Sequence, residues 1–163
     1  MATADDALTP LMQRVRAQAE VLVPLLRQLR AKLGPEAANA LVYPVLRRQI
    51  KSWTAQLAVH DPDDPVGSWQ KAVAAFDPLF AGDVDVAVVR QEDKVLDVDV
   101  TGCRYADFFR RIGEPELGTI LVCELDDHIA ARSAPAVALS RSGTIMTGAA
   151  ICPFRYRFKT ALD

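Results

Sequence analysis

Residues 84–100 read VDVAVVRQEDKVLDVDV, and this stretch decides the fold. Val84, Val86 and Val88 alternate with Asp83, Asp85 and Ala87, and Leu96, Val98 and Val100 alternate with Asp97 and Asp99. A period of two sends the apolar set to one face of a strand and the polar set to the other. Gln91-Glu92-Asp93-Lys94 lies between the two runs and completes a β-hairpin.

Upstream the periodicity is helical. Thr9-Pro10 supplies a capping hydroxyl followed by proline at the first helical position. Leu11, Val15, Ala19, Leu22, Leu26 and Leu29 then recur at steps of three and four, the stripe of an amphipathic helix, with a kink expected at Pro24. Gly34-Pro35 punctuates. A second helix is expected to about Leu57, kinked at Pro44, with Ala40, Leu41, Val45, Leu46, Ile50 and Trp53 inward and Arg47, Arg48 and Lys51 outward. The stretch from His60 to Pro65 is a loop by composition, and a third helix is expected from Ser68 to about Phe80.

Downstream come short helical pieces near 105–112, 116–123 and 124–132, then strands over 137–146 and 152–158. In the last strand Phe154, Tyr156 and Phe158 share one face while Arg155 and Arg157 take the other. The pattern predicts an α+β fold, a helical N-terminal half on a four-stranded antiparallel sheet with short helices between strands two and three. The length suits one domain, 1–163, with a helical part to residue 80 and a sheet and site-bearing part from 81.

Nineteen basic and 21 acidic residues leave a formal charge of −2, too weak a field to draw nucleic acid or an anionic membrane. The first residues, MATADDALTP, lack the basic and apolar regions of a signal peptide, and no apolar run reaches a membrane span. The expectation is a cytoplasmic protein whose partner is a small-molecule substrate, with homo-oligomerisation left open.

The chemistry-bearing residues gather between Val100 and Phe158. All three cysteines, Cys103, Cys123 and Cys152, fall there, together with Asp126-Asp127-His128. A free cysteine is often just a small buried hydrophobe. These three, however, stand at the ends of expected elements, where a scaffold presents side chains to a site. Three thiolates with one open position could hold a metal ion or an iron–sulfur cluster. Alternatively one thiolate is a nucleophile, activated by a nearby arginine or helix N-terminus. Asp126 and its neighbours offer a general base or a ligand, against the plainer reading of acids favouring a helix start. Tyr105, so close to Cys103, is the aromatic residue to place in a pocket. His60 reads as a loop residue. No P-loop, GxGxxG, HExxH or GxSxG motif is present.

These residues also form an ordered pattern. Gly102-Cys103-Arg104-Tyr105-Ala106-Asp107-Phe108-Phe109 is followed by Gly113-Glu114-Pro115-Glu116-Leu117-Gly118, then by Cys123 and Asp126. Arg141, Thr144, Gly148 and Cys152-Pro153-Phe154-Arg155-Tyr156 complete it. The pattern resembles the L-2-amino-thiazoline-4-carboxylic acid hydrolase family, whose founding activity adds water at the carbon between sulfur and nitrogen of a thiazoline ring. The resemblance implies a hydrolase for a C–N or C–S bond of a small polar substrate. Its catalytic residues would come from Cys103, Cys123, Cys152, Asp126 and Tyr105, with Arg104, Arg141 or Arg155 binding a carboxylate. The alternative is a module that binds or senses a small ligand, a metal or a cluster without turnover. One position departs: an acid usually follows the family's last cysteine, and here Pro153 stands in its place.

Overall fold

In the computed structural model, which describes residues 9–159, the hairpin signal becomes two nine-residue strands, β1 (Val84–Glu92) and β2 (Val95–Cys103). Only Asp93 and Lys94 remain for the turn, two residues rather than the expected four, because Gln91 and Glu92 pair with Leu96 and Val95. Strands β3 (Val137–Ser140) and β4 (Cys152–Phe158) complete an antiparallel sheet of order β1-β2-β4-β3. The α+β class and the antiparallel sheet stand as the sequence predicts.

The helices are α1 (Pro10–Leu33), α2 (Pro35–Ala55), α3 (Pro65–Phe80), α4 (Arg104–Arg111), α5 (Pro115–Gly118) and α6 (Glu124–Arg132). Thr9 caps α1 by accepting from the Met12 amide at 3.1 Å, and the helix runs on through Pro24. Asp64 caps α3 in the same way, accepting from the Gly67 amide at 2.9 Å. Residues 1–8, which carry most of the stretch inspected for a leader, lie outside the described residues. Among the described residues no helix is long and apolar enough to cross a membrane.

Two expectations change. On α2, Ile50 is buried as expected, but Leu41 and Val45 are 61% and 52% exposed and Ala40 is exposed too; Ala38, Tyr43 and Thr54 are buried instead. Polar anchors set the helix's rotation: the Tyr43 hydroxyl lies between Arg30 and Glu116, and Arg47 holds Glu124 at 2.8 Å. Apolar periodicity cannot register these partners. The third strand also stops at Ser140 instead of continuing to Met146. Ser140 pairs with Arg155. Two residues further the ladder would meet Pro153, which has no N–H to donate. Ile145–Thr147 forms a 3₁₀ turn capped by Thr144.

The helices cover one sheet face. Trp69 of α3 packs on Tyr156 and Phe158, ring centroids 4.9 and 5.0 Å away. The other face carries cross-strand ion pairs, Arg155 with Asp99 at 2.7 Å and Arg157 with Asp97 at 2.5 Å. The expected division of β4 into an aromatic and a basic face is therefore the observed one.

Tight packing explains one motif glycine. A Cβ on Gly118 would stand 2.5 Å from the Phe109 ring and 2.6 Å from the Met146 sulfur, both fully buried. Gly118→Ala is expected to destabilise the fold by about 1–3 kcal/mol through overpacking, measured by chemical denaturation.

Candidate functional site

Cys103 ends β2 and caps α4. Its thiol sulfur accepts from the Ala106 amide at 3.4 Å. Cys152 opens β4, buried, with its sulfur accepting from the Ile145 amide at 3.1 Å. Cys123 closes a π-helical turn, Thr119–Cys123, wedged between α5 and α6. An added residue per turn shifts the helix phase, and such turns recur at functional sites. The sequence suggests one ordinary helix over this stretch, because π geometry has no local signature.

All three cysteines are free. Cys152 lies within electrostatic reach of Cys103, and Cys123 within reach of both. Burial is the first cause in each case, and it pushes all three thiols up, Cys123 to about 12. Amide donors partly offset this at Cys103 and Cys152, and Arg141 partly offsets it at Cys123 and Cys152. At neutral pH the group is thus held as protonated thiols. Among the described residues no group of three or more His, Cys, Asp or Glu side chains is placed to hold a metal ion.

Two charged residues join this neighbourhood. Asp126 lies on α6, and its carboxyl is packed deeply enough that burial raises it to about 6. Arg141 opposes that rise, while Asp127 and Asp77 add to it. Burial drives the Tyr156 phenol upward, and the nearby Asp126 carboxyl adds to the rise. Arg141 follows β3 directly, with its side chain only 10% exposed. One guanidinium nitrogen pairs with Asp127, and the guanidinium carbon lies 4.9 Å from the Phe154 ring centroid. The other terminal nitrogen, Nη1, is buried and has no hydrogen-bond partner among the described residues. A buried cationic donor left open costs free energy until an acceptor arrives.

Other candidates are committed elsewhere. Tyr105 is fully buried; its hydroxyl donates to Asp83 at 2.8 Å and lies beside Thr9. Arg104 pairs with the same Asp83 at 3.1 Å. Asp83 thus fastens the start of α4 to the start of α1, with Thr9 as a further donor. Arg155 is engaged by Asp99 on the sheet face opposite Cys152, and by the carbonyls of Val98 and Phe154. Pro153 pairs with Asp99 on that same outer ladder, so the departure from the family pattern falls on the face away from the thiols. His128 lies 4.0 Å from Glu124 one helical turn back, and burial lowers it. A two-residue step on α6 turns His128 well away from Asp126.

Tyr156 joins the site without having been singled out for it, and Asp127, offered with Asp126 and His128 as a base or ligand, joins it as the partner of Arg141. Alternation along β4 already put Tyr156 on the Cys152 face, so that signal was present. Asp127's partnership with Arg141 spans a loop and has none.

Compared with known proteins, residues 14–156 match the family model described as L-2-amino-thiazoline-4-carboxylic acid hydrolase. No curated protein matches the chain.

Proposed function

The chain belongs to the L-2-amino-thiazoline-4-carboxylic acid hydrolase family, and from that premise we propose that it hydrolyses a C–N or C–S bond in a small carboxylate-bearing substrate, with Asp126 as acid–base and Arg141 as carboxylate receptor. The observation that carries the reading is the buried, unpartnered Nη1 of Arg141 beside a carboxyl raised to about 6. A group titrating there is mostly ionised at neutral pH, ready to take a proton from attacking water, yet still basic enough to accept it. Water adds to the amidine carbon as one of its protons passes by way of Asp126 to the former C=N nitrogen; the hydroxyl proton of the resulting tetrahedral carbon then passes by way of Asp126 to the departing sulfur or nitrogen as the C–S or C–N bond breaks and C=O forms. Asp127 orients the guanidinium for the substrate carboxylate. Cys103, Cys123 and Cys152, held as thiols, wall the pocket and donate weakly through S–H, and soft sulfur suits a ring that itself contains sulfur. Tyr105 and Arg104 serve by fixing Cys103 through Asp83.

Turnover of 2-aminothiazoline-4-carboxylate and related cyclic amidines tests the proposal. Binding of these compounds without any ring opening would favour the ligand-binding module instead. Arg141→Lys keeps the charge but loses the planar fork. It is expected to raise KM for carboxylate substrates about 10–100-fold, the worth of a charge-assisted hydrogen bond. The corresponding carboxamides should respond far less.

A further inference from the structure

Between α3 and the β1–β2 hairpin lies an open groove of about 580 Å³. Small-ligand sites typically occupy about 300–1,000 Å³. Trp69, Val73 and Leu96 give the groove apolar walls; Asp77, Glu92 and Asp93 also line it, and no basic residue does.

Strand register ties this groove to the site already described. Leu96 pairs with Tyr156, Val98 with Phe154, and Val100 with Cys152. β1 extends the last two rows, Val88 beside Val98 and Val86 beside Val100. Directly paired residues of an antiparallel sheet point to one face. Leu96 of the groove and Phe154 and Cys152 of the site therefore share one apolar surface, with successive rows about 7 Å apart along the strands. Two further observations point to a ligand. Trp69 is buried, yet its indole Nε1 has no hydrogen-bond partner among the described residues. Asp77 of the groove lies close enough to Asp126 to influence its charge.

We propose that this groove is the second arm of the substrate site, and that it takes an extended apolar substituent of a substrate whose single carboxylate is held by Arg141. The inference rests on the carboxylate-binding reading of Arg141. It narrows the substrate class from small polar acids to amphiphilic monocarboxylates. The acids lining the groove reject a second negative charge at the far end.

Calorimetric titration with hexanoate, decanoate and decanedioate provides the test. Four added methylenes, each worth about fourfold when fully buried, should make decanoate at least about tenfold tighter than hexanoate. Decanedioate should bind more weakly than decanoate. Ala74→Trp, which fills the groove from an exposed position, and Val73→Asp should each remove the decanoate advantage and leave hexanoate binding in place. Equal affinities for hexanoate and decanoate in the wild type would overturn the proposal, as would an advantage that survives both substitutions. Conversion of a wild-type dimer to a monomer by Ala74→Trp, without any chain-length dependence, would make the groove an interface and also overturn it. Arg141→Ala separates the two readings. Loss of hexanoate binding in that variant, with no chain-length gain in the wild type, refutes the groove alone; hexanoate affinity unchanged in the variant, with the chain-length gain intact, refutes the Arg141 reading alone.

Discussion

Asp126→Asn is expected to lower kcat/KM by roughly two to four orders of magnitude, the range for losing a positioned acid–base group. On the same reading the wild-type profile of kcat/KM should rise with pH and level off above about 6, where burial has placed this carboxyl. The variant loses that limb. Its stability moves in the opposite direction. The folded protein binds the Asp126 proton more tightly than the unfolded chain, whose carboxyl titrates near the ordinary 3.8. No cost therefore arises below the unfolded value. Stability is lost as pH rises between the two values, and the full cost of the buried charge is present above about 6. Asparagine carries no charge, so Asp126→Asn is more stable than wild type at pH 7.5 and loses that advantage by about pH 4. Denaturation curves at the two pH values, set beside the pH–rate profile, check both halves. A variant that retains its activity, or gains equally at both pH values, removes Asp126 from the acid–base role.

Arg30→Ala is expected to cost about 3–5 kcal/mol of folding stability, because it strands a buried charge. Glu114 is buried, and Arg30 Nη1 reaches both its carboxylate oxygens, at 2.9 and 2.7 Å. The same guanidinium binds the Tyr43 hydroxyl at 2.7 Å and Asn39 Oδ1 at 3.0 Å, so one side chain fastens α1, α2 and the entry to α5 together. After its loss only Arg27, mostly exposed and 3.5 Å away, remains for Glu114. At about 2–4 °C per kcal/mol for a chain of this size, the melting temperature should fall by roughly 10 °C. Arg30→Met combined with Glu114→Leu should recover much of the loss, because an apolar pair leaves no unpaired charge. A single variant that melts within about 2 °C of wild type would show the pair to be unimportant for stability.

The pair also shows where local reading ends. The Glu114-Pro115-Glu116-Leu117-Gly118 motif is conspicuous in the sequence, but its purpose lies in Arg30 and Tyr43, more than 70 residues upstream, and in the Phe109 and Met146 side chains that press on Gly118. The buried face of α2 departs from its apolar stripe for the same reason. Leu41 and Val45 fit an apolar stripe, yet Tyr43 and Arg47 turn the helix toward Glu116 and Glu124. Apolar spacing is a local signal. Ion pairs between distant elements are not.

Local chemistry determined much of the rest. Two-residue alternation at 84–100 and 152–158 specified the strands and their faces, because the pleat converts parity directly into side-chain direction. The hydroxyl of Thr9 and the proline after it began α1, because an open helix end needs a side-chain acceptor. The cysteines could be picked out by residue type and position, Asp126 by its acidic run, and Arg141 by the family pattern. Only the tertiary structure decided their company: it set Arg141 between Asp127 and the thiols, committed Tyr105 and Arg104 to Asp83, and held Arg155 on the opposite face. It also decided their protonation. The sequence gives each group its ordinary affinity for a proton; desolvation and neighbouring charges, which exist only once the chain has folded, shift that affinity at Asp126 and at all three thiols.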